Sequence, residues 1–226
     1  MTSAQYDPAA FPPGLLAVPA TEWMWTRSIN SLIGLIGWLP RGSGVMVNQE
    51  SSSIAANRNG LLSDFLANKS LEWILFLDSD MTPEPGTACR LLSHNVDVVG
   101  ALYYSRDGKY TPMYGELQGE QVETSATGLR KVEWVGTGCM LIRRKVFEAM
   151  QPPYMEFLAP GLGEDVFFCR KARQLGFNVY VDTALCAGHM TALPIDAEMA
   201  MLYQQLPRVQ AIPKRIYNAL TTAIRG

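Results

Sequence analysis

The stretch Trp73-Ile74-Leu75-Phe76-Leu77-Asp78-Ser79-Asp80 decides the fold class, because a run of large apolar residues leads directly into a D-x-D motif. Five consecutive apolar residues indicate a strand that is buried on both faces, as the strands of parallel sheets are. In open sheets of this type, ligands bind beyond the carboxyl ends of the strands. The stretch therefore predicts an α/β fold with a ligand site at Asp78, Ser79 and Asp80.

Similar apolar runs and helical patterns alternate on both sides of this strand. The other predicted strands of the first half are Leu15–Val18, Gly44–Val47 and Val96–Leu102. The predicted helices between the strands lie at about residues 22–38, 51–68 and 86–94. This βαβαβαβ order is typical of a parallel sheet with crossover helices. After a loop or hairpin region at about 103–131, the second half adds predicted strands at 132–135, 139–142 and 178–181 and predicted helices from about 145 and at 164–175.

The length and charge of the chain limit its organisation and its partners. The chain has 226 residues, 48% of them hydrophobic, and a formal net charge of −2. We predict an N-terminal extension at residues 1–14, an α/β domain at 15–190 and a helical basic tail at 191–226. The net charge gives no general attraction for nucleic acid or anionic lipid. The longest strongly apolar stretch, residues 32–39, is too short to span a bilayer, and the N-terminus lacks the pattern of a secretion signal, so we expect a soluble cytoplasmic protein.

The D-x-D motif is the clearest chemical signal in the sequence. Asp78 and Asp80 are two positions apart on an extended backbone, so their side chains point to the same side. Carboxylate oxygens suit Mg²⁺ or Mn²⁺, and two acids at the end of a buried strand cost desolvation energy unless a cation pairs with them. The motif predicts a metal site that can neutralise a diphosphate leaving group. The alternative is a pair of solvated turn acids, because D-x-D also arises by chance.

A second phosphate contact is predicted at Arg58, since no glycine-rich phosphate loop follows any predicted strand. The alternative for Arg58 is a solvated arginine on a helix face. Trp23 and Trp25 are predicted to belong to the core rather than to stack on a ligand.

Five landmarks, in order, resemble one known family. They are Pro19-Ala20-Thr21-Glu22, Ser52 to Asn59, the run into Asp78-Ser79-Asp80, Val135 to Ile142, and Gly163 to Cys169. Together they resemble family-2-like glycosyltransferases of the GT-A fold, whose small stand-alone members are often phage-encoded. The resemblance implies a Rossmann-like, mostly parallel central sheet flanked by helices, with a small hairpin region on the acceptor side. It also makes the domain at 15–190 catalytic and implies sugar transfer from a nucleotide-diphosphate sugar, with a UDP-sugar favoured, to an acceptor hydroxyl.

The same resemblance implies roles for single residues at the donor side. Asp78, Asp80 and His189 are the implied ligands of Mn²⁺ or Mg²⁺, although a lone histidine such as His189 is more often structural. The implied contacts to the sugar nucleotide are Pro19, Thr21, Glu22, Gln49, Glu50, Arg58, Asp78 and Ser79. The family often has an aspartate after the second strand, where this chain has Asn48 to Glu50, and this leaves the nucleotide base open.

On the acceptor side, Glu164 and Asp165 match the late acidic pair that supplies the general base in inverting members, and we favour Asp165 as that base. A carboxylate within hydrogen-bond reach can take the proton of the attacking hydroxyl. The alternative is an acid pair that only favours the start of a helix. The implied contacts to sugar or acceptor are Trp134, Gly136, Thr137, Gly138, Tyr104 and Arg106. A tight hairpin turn is the alternative explanation for the two glycines.

Other functions remain possible on this fold. A non-catalytic nucleotide-sugar-binding protein would bind the donor without transfer or hydrolysis, and a sugar-nucleotide nucleotidyltransferase would need a Gly- and Arg/Lys-rich loop after the first strand. The acceptor is either a hydroxymethylated pyrimidine in phage DNA or a glycan. If the protein is phage-encoded, the host cytoplasm is its expected location. The basic tail and the run Arg143-Arg144-Lys145 could supply local phosphate contacts to DNA.

Overall fold

The computed structural model describes residues 6–20, 22–48, 51–107, 110–117, 128–157 and 163–192. Every helix and strand below belongs to the first of two units of the chain, Met1–Met190. The predicted tail at 191–226 lies outside the described residues apart from residues 191 and 192, so its helix stays a prediction. The predicted donor contacts Thr21, Gln49 and Glu50 also lie outside them.

The described residues contain a mixed α/β arrangement of helices and strands. The strands are β1 (Leu15–Pro19), β2 (Gly44–Asn48), β3 (Trp73–Leu77), β4 (Met81–Thr82), β5 (Val98–Leu102), β6 (Tyr114–Gly115), β7 (Leu129–Val132), β8 (Trp134–Val135), β9 (Cys139–Arg143), β10 (Val179–Cys186) and β11 (Gly188–His189). The helices are α1 (Thr26–Ile36), α2 (Ile54–Ala67), α3 (Thr87–Ser93), α4 (Arg144–Glu148) and α5 (Glu164–Gln174). None of these helices is long and apolar enough to cross a membrane.

A seven-stranded sheet in the order β2-β1-β3-β9-β5-β10-β7 forms the centre of the fold. Strands β2, β1, β3, β5 and β10 run in one direction, whereas β9 and β7 run in the other. The predicted α/β fold with a mostly parallel sheet is therefore confirmed. The ends of β1, β2, β3 and β5 meet at one edge of the sheet, where parallel sheets bind ligands.

The two faces of β3 explain why its sequence is apolar throughout. Ile74 and Phe76 pack into the core under α2 and α5. Trp73, Leu75 and Leu77 pack into a second core under α1 and α3. Because side chains alternate across a strand, a strand between two helical layers needs apolar residues at every position.

Side-chain hydrogen bonds fix both ends of α2. Ser53 caps its start by accepting a hydrogen bond from the backbone N–H of Ala56 at 3.4 Å, as its position before the helix predicts. At the other end, the buried guanidinium of Arg144 donates to the carbonyl oxygens of Phe65 and Asn68 at 2.8 and 2.6 Å. These bonds satisfy carbonyl groups that have no partner within the helix.

The second half departs from the predicted strands. Residues 132–135 form two elements rather than one, because Glu133 separates β7 of the large sheet from β8. Strand β8 pairs with β6, whereas β9 pairs with β3 and β5, so the two do not form a hairpin. The tight hairpin turn offered as an alternative for Gly136 and Gly138 is therefore wrong. Trp23 is 64% exposed, so its predicted place in the core is also wrong.

His94 is the structural one of the two histidines. Its Nε2 lies 2.8 Å from Oδ2 of Asp182, and Arg90 binds the same carboxylate through Nε at 2.7 Å and Nη2 at 3.0 Å. Burial opposes ionisation of Asp182, but the bonds from His94 and Arg90 outweigh it and lower its pKa to about 2. This buried cluster links the end of α3 to β10.

Candidate active site

Two adjoining cavities lie at the edge of the sheet where β1 and β3 end. The large cavity, of about 580 Å³, is lined by Pro19, Ala20, Glu22, Ser51, Ser52, Ile54, Asn57, Asp78, Ser79, Asp80 and Arg106. The small cavity, of about 280 Å³, is lined by Ile54, Arg58, Asp78, Tyr103, Ser105, Arg106, Met113, Thr137, Glu164, Asp165 and His189. Both contain Ile54, Asp78 and Arg106, so the two spaces adjoin at these residues.

Arg58 lies beneath the boundary between the cavities and is 2% exposed. Its Nη2 donates to Oδ1 of Asp78, and its Nη1 donates to Oε1 of Glu164. Burial disfavours the charged guanidinium, but the two carboxylates outweigh burial and raise the pKa of Arg58. The hydroxyl of Thr137 also donates to Oε1 of Glu164, at 3.2 Å. Arg58 is therefore a buried cation between two acids, and its predicted contact to phosphate has no support in this geometry.

Asp80 faces His189 and Arg106 at the border of the cavities. Strand β11 pairs with β4 so that His189 lies opposite Met81, the residue after Asp80. Nε2 of His189 is 3.5 Å from Oδ1 of Asp80, and Nη1 of Arg106 is 2.5 Å from Oδ2. Burial opposes ionisation of Asp80, but His189 and Arg106 outweigh it and lower the pKa of the carboxyl group.

The orientation of His189 is set by its other ring nitrogen. Nδ1 lies 2.8 Å from the carbonyl oxygen of Tyr104, and a carbonyl can only accept, so Nδ1 carries the proton. The ring of Tyr103 packs edge-on against the imidazole with centroids 5.5 Å apart. Burial lowers the pKa of His189, but the interaction of Nε2 with Asp80 outweighs burial and raises it. In the neutral imidazole, which a metal ion requires, this tautomer leaves the lone pair of Nε2 facing Asp80. A histidine ligand of a metal typically has such a second-nitrogen bond to a carbonyl.

The three predicted metal ligands, Asp78, Asp80 and His189, do not all face one point. Within the residues that the structure describes, no three His, Cys, Asp or Glu side chains are grouped to hold a metal ion, because Asp78 is turned to Arg58 instead. Asp80 and His189 are brought together, and Oδ1 of Asp80 is buried without a hydrogen-bond partner. A buried carboxylate oxygen facing an imidazole lone pair fits a divalent cation, so these two residues suit the predicted metal.

Asp165 lines the small cavity, and its pKa is raised above that of an ordinary aspartate. Burial is the main cause that raises the pKa of Asp165 to about 6, and the negative charge of Glu164 raises it further. The backbone N–H of Val166 and the positive charge of Arg58 lower it, but by less. Oδ1 accepts a 2.8 Å hydrogen bond from that N–H. A carboxylate with this pKa is ionised at neutral pH and is a stronger base than an ordinary aspartate.

The loop at residues 136–138 passes close to Tyr103. A Cβ on Gly136 would lie 2.1 Å from Oη of Tyr103, and one on Gly138 would lie 2.8 Å from Cζ. The N–H of Gly138 donates to the same Oη at 3.1 Å. The glycines therefore allow the loop to pack on Tyr103, which brings Thr137 into the small cavity.

The remaining predicted contacts are distributed unevenly. Pro19, Glu22 and Ser79 line the large cavity. Trp134 packs on Gly115, where a Cβ would lie 2.0 Å from its indole nitrogen, and Tyr104 contributes its carbonyl to His189. Neither Trp134 nor Tyr104 is among the described residues that line the cavities, so their contacts to sugar or acceptor stay predictions.

Ser51, Ser52 and Asn57 line the large cavity, although none of them was predicted from the sequence to have a role in the site. The buried amide of Asn57 accepts from the N–H of Ser51 at 2.8 Å and donates to its carbonyl at 2.8 Å. It thereby fixes the loop before α2. The available signal was an asparagine in the first turn of a helix that follows three serines.

Comparison with known proteins agrees with this fold. The crystal structure of A197 from STIV matches with a TM-score of 0.61 and 20% identity over 80% of this chain and 86% of that chain. The crystal structure of GalNAc-T7 with UDP, GalNAc and Mn²⁺ matches with a TM-score of 0.51 and 12% identity, over 84% of this chain and 40% of that chain. No curated protein matches the sequence. The family model described as glycosyltransferase like family 2 matches residues 41–205, which is most of the chain. With its α/β sheet and this match, the chain belongs to glycosyltransferase family 2 and has the GT-A fold.

Proposed function

We propose that this glycosyltransferase binds a nucleotide-diphosphate sugar in the large cavity and transfers the sugar to an acceptor hydroxyl in the small cavity. The observation that carries the proposal is the shared border of the two cavities at Asp78 and Arg106. A sugar at this border has the diphosphate on one side and the carboxylate of Asp165 on the other. A UDP-sugar is the favoured donor, because the GalNAc-T7 structure contains UDP and Mn²⁺.

Asp80 and His189 are the residues that would bind the divalent cation, whereas Asp78, two positions before Asp80, pairs with Arg58. When bound, the cation neutralises negative charge on the diphosphate as it leaves. The protein's own contribution is to orient the two ligands. The carbonyl of Tyr104 fixes the tautomer of His189, and the pairing of β4 with β11 sets its position beside Asp80.

Asp165 is the proposed general base. It accepts the proton of the acceptor hydroxyl while the hydroxyl oxygen forms a bond to the anomeric carbon and the bond to the diphosphate oxygen breaks. Attack from the side opposite the leaving group inverts the configuration of that carbon. Glu164, the other predicted catalytic acid, is 7% exposed and accepts bonds from Arg58 and Thr137, so it is a positioning residue in this proposal.

Among the two predicted acceptors, the geometry favours a glycan hydroxyl over a base in DNA. Asp78, Glu164 and Asp165 outnumber Arg58 and Arg106 in the lining of the small cavity, so this cavity offers no excess positive charge to a polyanion. Arg143 pairs with Trp73 at the start of β3, so the run Arg143-Arg144-Lys145 lies at the opposite edge of the sheet. Arg144 is moreover buried. This run therefore cannot supply phosphate contacts beside Asp165.

Asp80→Ala tests the donor site. We expect the variant to lose Mn²⁺-dependent binding of UDP by more than roughly tenfold, because it removes a charged ligand of the cation. Isothermal titration calorimetry measures this with and without Mn²⁺. The control is Asp97→Ala, which removes an acid that pairs with Lys145 at 2.7 Å away from both cavities. Undiminished binding in Asp80→Ala would contradict the proposed donor site. Binding without transfer or donor hydrolysis in the unaltered chain would instead indicate a non-catalytic binding protein.

Glu164→Gln tests the origin of the basicity of Asp165. A base works only when ionised, so kcat/KM of the unaltered enzyme should fall about tenfold per pH unit below about pH 6. The negative charge of Glu164 raises the pKa of Asp165, and its removal should move this acid limb to lower pH. Transfer rates measured between pH 4.5 and 8 give both profiles. An acid limb at the same pH in both proteins would mean that Glu164 does not tune the base.

A further inference from the structure

Arg106 is a positively charged residue that is paired with Asp80, one of the two proposed metal ligands. Its guanidinium lies 2.5 Å from Oδ2 of Asp80, on the same carboxylate whose Oδ1 faces His189. A positive side chain and a divalent cation compete for one carboxylate, because the two positive charges repel each other at such short range. The residue proposed to bind the metal is thus also the counter-ion of an arginine.

Among the described residues, few contacts keep Arg106 in this position. Its side chain is 46% exposed, and besides the ion pair it makes a long hydrogen bond of 3.4 Å from Nη1 to the carbonyl oxygen of Met190. By contrast, Arg58 is buried between two carboxylates. Since the Arg106 side of the pair is open to solvent, a cation on Asp80 can displace the guanidinium into the cavity without disturbing the core.

The direction in which Arg106 can move is set by the cavities. Arg106 lines both cavities, as Asp78 does, so its side chain is within reach of both spaces. The described lining of the large cavity includes the acids Glu22, Asp78 and Asp80, and Arg106 is the cationic side chain among these residues. A diphosphate bound there needs positive charge, and a planar guanidinium binds phosphate oxygens through two parallel hydrogen bonds.

We propose that Arg106 is a displaceable counter-cation that neutralises Asp80 until a divalent cation takes its place and that then binds the diphosphate of the donor. This inference rests on the proposed function and adds a consequence to it. Metal and donor bind cooperatively, because the metal releases the arginine that the diphosphate uses. A metal ion alone binds less tightly than its ligands would allow, since it must first break the Arg106–Asp80 pair.

The test is a pair of binding measurements on Arg106→Gln, in which the affinity for Mn²⁺ should rise and the affinity for UDP should fall. Binding of Mn²⁺ alone, measured from the EPR signal of the free ion, should become roughly fivefold tighter because the competing cation is gone. Binding of UDP at saturating Mn²⁺, measured by calorimetry, should become roughly tenfold weaker because a charged hydrogen bond is lost. Arg106→Lys keeps the charge without the planar fork and should give intermediate values in both measurements.

The matched control is Arg170→Gln. Arg170 is 48% exposed and pairs with Glu133 at 3.7 Å outside the two cavities, so neither measurement should change. If Arg106→Gln weakens both ligands, Arg106 has a structural role, and if either affinity stays unchanged, the exchange between Asp80 and diphosphate does not occur. Each of these results overturns the inference while leaving the proposed function intact. Failure of the unaltered protein to bind UDP with Mn²⁺ overturns the proposed function, and the inference with it.

Discussion

Asp165→Asn is expected to lower kcat for sugar transfer by roughly 10³-fold while the Kd of the donor changes by less than about twofold. The amide has almost the shape of the carboxylate but cannot accept the proton of the acceptor hydroxyl. Asp165 lines the small cavity and is not among the described residues of the large one, so donor binding should not depend on its charge. Steady-state transfer and calorimetric donor binding measure the two quantities.

Asp64→Asn is a suitable control for this substitution. Asp64 is an exposed aspartate of α2, and the same chemical change there should leave both kcat and donor binding unaltered. An equal loss of transfer and donor binding in Asp165→Asn would show that Asp165 supports the structure of the site. Retained transfer would assign the base to another group.

Arg58→Met is expected to destabilise the protein by about 3–5 kcal/mol, because it leaves Asp78 and Glu164 as carboxylates without their buried cation. For a chain of this length, the midpoint of thermal unfolding should fall by roughly 10 °C. Differential scanning calorimetry measures the change. Arg27→Met, on the exposed part of α1, removes an arginine of the same size and should shift the midpoint very little.

A double variant separates the cost of the unpaired carboxylates in Arg58→Met from the cost of lost packing. In the double variant Arg58→Met with Glu164→Gln, one of the two unpaired charges is gone, so part of the stability should return. If the double variant is less stable than Arg58→Met, the carboxylates are not the source of the penalty. A shift below about 2 °C in Arg58→Met would mean that water replaces the guanidinium at little cost.

Local patterns were sufficient to predict the strands of the first half. The apolar runs of β1, β2 and β3 start at the predicted residues. Strands β1 and β3 are buried on both faces, which leaves a continuous signal, whereas β2 is an edge strand on which Val45 and Val47 are exposed. The family and the GT-A fold, inferred from five ordered landmarks, are confirmed by the family match. Helix α1 starts at Thr26, later than predicted, since Trp23 lies in an exposed segment that the helical pattern could not distinguish from the helix.

Long-range pairings explain what the sequence could not predict. Arg58 has the spacing of an ordinary helix residue, and nothing near it in the sequence indicates that its partner Glu164 is 106 positions away. The position of β9 between β3 and β5 could not be predicted from the sequence either, because an apolar run does not specify the neighbours or the direction of a strand. The D-x-D motif indicated the site, but the pairing of Asp78 with Arg58 and of Asp80 with Arg106 depends on the assembled fold.

The place of β9 also has a consequence for how the chain folds during synthesis. Strands β3 and β5 share no ladder, and each is joined to β9 instead. Until residues 139–143 have left the ribosome, the free edge of β3 and the unpaired strand β5 present unpaired backbone groups, which are sites for aggregation. The closing of the sheet is therefore a late, non-local event that should slow folding, and shortened chains that end before Cys139 should require chaperones to stay in solution.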